Sequence, residues 1–154
     1  MKKIILLISL LGILHAEENV AKVVFDLTAG NLKTFERKVL KGIPLFKAHY
    51  EGNLKELHVA VMIHGGAYKF FVKDPAHSPY GGEKDLVEAY ATLKKRVAAM
   101  ADTYEVDFMM CESGLLKQKV KVTDVYDFVR MVPNAAIGLI DKQNEGFAYM
   151  PMKD

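Results

Sequence analysis

The stretch LHVAVMI, residues 57–63, is almost continuously apolar and stops abruptly at His64-Gly65-Gly66. Its length is that of a strand, and its lack of polar alternation is that of a strand covered on both faces, as strands of parallel sheets are. The flanking sequence repeats the pattern. Upstream, VAKVVFDL (residues 20–27) is a β-branched run closed by the turn cluster Thr28-Ala29-Gly30-Asn31; downstream, Val106 to Met110 is a third apolar run that delivers Cys111 at its end.

Helical rhythms fill the intervals. Leu32, Phe35, Val39 and Leu40 predict an amphipathic helix from Leu32 to Ala48, with Pro44 kinking or breaking its last turn. Ala67 to Lys73 reads as a helical turn or two, and Asp74 to Gly82 as a turn-rich loop. Leu86, Ala89, Tyr90, Leu93, Val97 and Met100 form an apolar stripe that predicts a helix from Glu83 to Asp102. After Cys111 the expectations are a short helix from Ser113 to Gln118, an extended stretch from Lys119 to Val122, and a helix capped by Thr123-Asp124 and running through Val129. A short strand from Arg130 to Val132, a turn at Pro133-Asn134 and a helix from Ala135 to Asn144 with Gly146 as its terminal glycine follow. Phe147 to Met150 is then a last strand stopped by Pro151. Alternation of this kind implies a mostly parallel sheet with helices on both faces and right-handed crossovers.

The amino terminus carries a different signal. Met1-Lys2-Lys3, the apolar Ile4 to Leu14 and the small residue in His15-Ala16 have the layout of an export signal, so residues 1–16 are expected to be a signal peptide cleaved after Ala16. Residues 17–154 then form a single domain in the periplasm or outside the cell. About eleven apolar positions fall short of the ~20 a membrane-spanning helix needs; the large Leu14 near the cleavage site leaves an uncleaved tether as the alternative. The whole chain has 21 Lys+Arg and 19 Asp+Glu; without Lys2 and Lys3 the two balance. A neutral domain has no electrostatic footprint for nucleic acid, and none is expected as a partner.

In an open α/β sheet, ligands gather outside the carboxyl ends of the strands. Those ends here hold Thr28 and Asn31, His64, Gly65 and Gly66, Cys111 and Ser113, and Asn134. Cys111 is the single cysteine, so it can form no internal disulfide and is a packed residue, an intermolecular partner or a reactive thiol. A helix starting near Ser113 favours its thiolate, and the adjacent Glu112 opposes it. His64 is a candidate proton shuttle if the second and third strands adjoin, and otherwise a bonder of backbone groups. Gly65 and Gly66 offer amides to an anion. Thr28 and Asn31 serve equally as caps. His49, His58 and His77 are scattered, no spacing suits a metal, and no cofactor is expected; GxSxG, Walker and GxGxxG motifs are missing. Tyr68, Phe70 and Phe71 make a dense aromatic cluster that suggests a subunit interface unless the Asp74 to Gly82 loop covers it.

Four segments, KVVFDLTAGN, VAVMIHGGAYKFFVKD, the cysteine directly after the third strand, and MVPNAAIGLIDKQNEGFAYMP, resemble the DsrE/DsrF-like (YchN-like) family over essentially the whole of residues 17–154. The last of them is the most specific. The resemblance implies a three-layer α/β/α sandwich with a five-stranded sheet, assembled as a homo-oligomer, a trimer or hexamer. It also implies that Cys111 stands where some members carry sulfur as a persulfide, received from a donor protein and passed to an acceptor. Two functions are therefore expected in competition: sulfur carriage on Cys111 with His64 beside it, or a non-catalytic oligomeric module that binds a small ligand or protein and in which Cys111 is structural. Redox sensing through an intermolecular disulfide is a third.

Overall fold

The computed structural model describes residues 19–154; the expected signal peptide and its cleavage point lie outside them. Five strands, β1 (Val20–Leu27), β2 (Glu56–Ile63), β3 (Asp107–Cys111), β4 (Arg130–Val132) and β5 (Ala148–Met152), form one sheet in the order β4-β3-β2-β1-β5 with every pairing parallel. The apolar run at residues 57–63 is the central strand β2, in which only Glu56 and His58 are exposed. Continuous hydrophobicity thus marks the strand with neighbours on both edges and cover on both faces.

Helices α1 (Leu32–Phe35), α2 (Ile43–Glu51), α3 (Lys84–Asp102), α4 (Glu112–Gln118) and α5 (Ala135–Asn144) connect the strands. From β1 to β4 the chain steps in one direction across the sheet, and right-handed crossovers put those connections on one face. The connection through α5 reverses direction and packs on the other face, where Gly138 adjoins Met62 and Val132. Strand alternation and register sort the side chains accordingly. Phe25 and Phe108 face the first layer, against Phe46 and Phe71; Asp26, Met62, Met109 and Cys111 share the α5 face.

Several expectations need correction. The helix from Leu32 is continuous to Glu51, but Glu36–Gly42 is π-helical, and Pro44 lies in the first turn of α2. Proline has no N–H for the Leu40 carbonyl, and the hydrogen-bond register widens just ahead of it. No helix runs from Thr123 to Val129. Lys119 ends α4 in the left-handed conformation, Val122–Asp124 is a single 3-10 turn, and Val125 bridges antiparallel to Val72 while the Tyr126 amide bonds to the Phe71 carbonyl (3.1 Å). Burial of Val125, Tyr126 and Val129 overrides the local helical pattern. Strand β5 also continues through Pro151 to Met152, which an edge strand with one neighbour tolerates.

The aromatic cluster is core, not interface. Gly65–Phe71 forms a 3-10 segment in which Tyr68, Phe70 and Phe71 are all buried. Phe35 stacks on Phe70 at 4.2 Å and meets Phe71 edge-on at 5.7 Å, and Phe71 leans on Phe108. Burying each such ring contributes about 2–3 kcal/mol. Exposed apolar side chains sit elsewhere, including Ile137 and Ile140 of α5 and Tyr149 and Met150 of β5. No helix among the described residues is long and apolar enough to cross a membrane.

Candidate functional site

Loops after β1, β2 and β3 turn to one face of the sheet and the loop after β4 to the other, so the crevice where the direction switches lies between β3 and β4. The residues that close those two strands are Cys111 and Val132, paired in register. This is the position at which open α/β sheets take ligands. Cys111 is at once the last residue of β3 and the N-cap of α4, and it is 6% exposed.

Its surroundings are polar despite the burial. The thiol lies 3.2 Å from the Ser113 hydroxyl, and the Tyr68 hydroxyl donates to the Cys111 carbonyl at 2.7 Å. Burial by itself raises the thiol pKa; the Ser113 and Tyr68 hydroxyls and the Ala135 and Gly114 amides near it oppose that, and the net position is below the ordinary thiol value. The Tyr68 hydroxyl moves the other way, raised by its own burial and then by its partnership with Cys111. A thiolate favoured in the folded state stabilises the fold fully above the unfolded thiol's pKa and loses that contribution as pH falls through the lowered folded value. Denaturant midpoints of the protein and of Cys111→Ser, measured at a series of pH values from neutral to alkaline, should therefore diverge in favour of the protein as pH rises. A constant difference would show that the fold does not stabilise the thiolate.

His64 directly follows β2, the strand that adjoins β3 and Cys111. Pairing between β2 and β3 ends at Ile63↔Met110, so the next residues on each strand are His64 and Cys111. Among the described residues, however, the hydrogen-bond partner of the thiol is Ser113, and the His64 ring turns to β1, its Nε2 lying 2.5 Å from Oδ1 of Asp26. Oδ2 of Asp26 accepts from the Tyr149 hydroxyl at 2.7 Å. Among the described residues Asp26 is the charged side chain buried in the core, at 8% exposure, and both its oxygens are satisfied, as a buried carboxylate requires. The bond to Asp26, then desolvation and then the carboxylate's charge raise the pKa of Tyr149.

The other predicted site residues have structural employment. Asn31 caps α1 by accepting from the Thr34 amide (3.1 Å), and Asn134 caps α5 by accepting from the Ala136 amide (2.8 Å). The Thr28 carbonyl accepts from the Gly66 amide at 3.1 Å. Gly65 has φ +60 and Gly66 packs against the backbone of Gly30, so the glycine pair lets two loops touch. The Gly30 and Asn31 amides donate to the carboxylate of Asp154 (2.8 and 3.1 Å), whose pKa they lower. Ser113 alone among the expected ligand positions adjoins the thiol. No cluster of three metal-ligating side chains occurs among the described residues. A concavity of about 1050 Å³, lined by Lys41, Leu45, Leu54, Leu57 and Tyr104, lies at the amino ends of the strands, the edge opposite Cys111.

Asp26 and Tyr149 were not legible as site residues from function-bearing motifs. A signal existed for Asp26: period-two alternation from the buried Val24 puts it on a covered face, where a carboxylate needs a reason to be.

A parallel α/β/α protein with a thiol held at the switch point of its sheet is the class that fold and site define. The sequence profile of the DsrE/DsrF-like family matches residues 22–152, and the chain belongs to that family. A protein of Aquifex aeolicus (strain VF5), described only as uncharacterized, is 27% identical over 137 residues, covering 84% of this chain; the chain spans about half (55%) of that relative's length. A solved protein of unknown function from Methanobacterium thermoautotrophicum superposes with a TM-score of 0.58 at 20% identity, over 85% of this chain and 98% of the other, and shares the fold.

Proposed function

We propose that this protein handles sulfur by carrying it as a persulfide on Cys111. The observation that supports the reading best is the thiol's setting: end of β3, N-cap of α4, with the Ser113 hydroxyl 3.2 Å from the sulfur and polar groups around it that favour ionisation in spite of burial. A packed cysteine has apolar neighbours and a raised pKa. The thiolate attacks the outer sulfur of a donor persulfide, R–S–SH; the donor S–S bond breaks, R–S⁻ leaves, and Cys111 becomes Cys–S–SH. No net oxidation occurs. A donor and an acceptor protein complete the relay.

The layout of residues 1–16 supports export of this carrier to the periplasm or outside the cell, where a single cysteine has no internal partner to be lost to. Assembly into a trimer or hexamer would bury the apolar side chains exposed on α5 and β5, Ile137, Ile140 and Tyr149.

Incubation of the domain with inorganic polysulfide, followed by intact mass measurement, is expected to add sulfur atoms that dithiothreitol removes, and Cys111→Ala is expected to add none. No addition, or equal addition to the variant, would sink the reading. The burial of Cys111 gives a competing reading its one support: a binding module with a structural cysteine. In that case Cys111→Ser leaves assembly and binding unchanged.

A further inference from the structure

We propose that Asp26 is a positioning residue that fixes the tautomer of His64, so that Asp26, His64 and Cys111 form a proton-handling row across the carboxyl ends of three adjacent strands. The proposal rests on the persulfide reading for its chemistry but on the row itself for its geometry. β1, β2 and β3 are consecutive in the sheet, and the three residues project on the same face by alternation from Met62 and Met109. Parallel strands lie about 4.8 Å apart, so His64 and Cys111, one step past the Ile63↔Met110 pair, are lateral neighbours.

The buried carboxylate decides what the imidazole can do. An ionised Asp26 oxygen 2.5 Å from Nε2 accepts its proton, so in the neutral ring the hydrogen is on Nε2 and Nδ1 holds the free lone pair. Tyr149, donating to the second oxygen, holds the carboxylate from the far side. A histidine retained only to bond backbone would not need its ring locked to a carboxylate in the core. The His64 side chain keeps 29% of its exposure, so the ring is partly open to solvent at the carboxyl end of the sheet. In the transfer step His64 takes the proton of the Cys111 thiol, the thiolate breaks the donor S–S bond, and the imidazolium returns the proton to the departing R–S⁻. The sum is Cys–SH plus R–S–SH giving Cys–S–SH plus R–SH, with no oxidant or reductant required.

The test compares Asp26→Asn, Asp26→Glu, His64→Gln and Tyr149→Phe with the full chain, using glutathione persulfide as donor and quenched-time intact mass as the readout of sulfur on Cys111. Asp26→Asn and His64→Gln are each expected to slow transfer by about a hundredfold, the lower end of what a placed acid–base group contributes, and the double variant to slow it no further. Asp26→Glu recovers part of the rate. Tyr149→Phe, which removes the hydroxyl bonded to the second Asp26 oxygen, slows it about fivefold, the loss of one side-chain hydrogen bond. Two further readouts need no sulfur: the nitrogen NMR shifts of His64, expected to move from the Nε2–H tautomer in Asp26→Asn, and the iodoacetamide alkylation rate of Cys111, expected to fall with it. If the protein takes no sulfur but tautomer and alkylation respond, the persulfide reading fails and the row stands. Unchanged tautomer and alkylation in Asp26→Asn and Tyr149→Phe would overturn the row whatever the protein does with sulfur.

Discussion

Replacing Gly114 with alanine is expected to cost about 2–4 kcal/mol and to raise the pKa of the Cys111 thiol in the same stroke. In an ordinary helix the exchange is favourable by roughly 0.5–1 kcal/mol, because alanine loses less backbone freedom on folding. Here the added Cβ would overlap the Tyr68 hydroxyl oxygen outright and lie 2.9 Å from the ring carbon Cζ. Tyr68 is 2% exposed and cannot swing into solvent without emptying its place in the core. Its retreat breaks the 2.7 Å bond to the Cys111 carbonyl and removes one of the hydroxyls that favour the thiolate. Thermal unfolding should fall by about 10 °C for a domain of this size, and the thiolate's ultraviolet absorbance should appear at higher pH. Adding Tyr68→Phe should restore part of the stability, since the oxygen that collides is gone, but none of the thiol's acidity. A Gly114→Ala protein as stable as the parent, with an unmoved thiol, would show that Tyr68 does not pack as described.

Much of the fold was legible because burial wrote itself into composition. The central strand reads as unbroken hydrophobicity, α3 as an apolar stripe, and α5 as a helix between the Pro133-Asn134 turn and Gly146, with predicted limits that nearly coincide with Lys84–Asp102 and Ala135–Asn144. What escaped depends on contacts distant in sequence. Val125 and Tyr126 look helical in their own window, yet they are held extended by Val72 and Phe71, some fifty residues earlier. Tyr68, Phe70 and Phe71 look like too many aromatics for one element, but Phe35 and Phe108 supply surfaces for Phe70 and Phe71, and Tyr68 lies against Gly114 and Cys111. The site divided in the same way. Cys111 was legible from its position at a strand end. The carboxylate that orients His64 comes from β1, thirty-eight residues away, and no spacing in the chain announces that pairing.

The second large effect is expected at the glycine pair after β2, and it separates packing from anion binding as the reason for that pair. A Cβ on Gly66 would stand 2.8 Å from the Gly30 Cα and 3.0 Å from its nitrogen, backbone atoms that have no rotamer to yield. The loops after β1 and β2 must then part, stretching the Gly66 amide bond to the Thr28 carbonyl and the His64 amide bond to the Leu27 carbonyl, both 3.1 Å. Gly66→Ala should lose about 2–4 kcal/mol. The reciprocal change is milder, because a Cβ on Gly30 meets the Gly66 Cα at 3.3 Å, and Gly30→Ala should lose about 1 kcal/mol. Gly82, with nothing within 4 Å of its Cβ, should accept alanine within about 0.5 kcal/mol. Denaturant unfolding of the three variants gives the order directly. Since His64 hangs from the displaced loop, Gly66→Ala should also disturb its bond to Asp26, seen in the nitrogen shifts of the ring, whereas Gly30→Ala should leave it in place. If Gly66→Ala unfolds with the parent and only weakens binding of added phosphate, the pair is there to present amides to an anion, and the contact between the two loops contributes little.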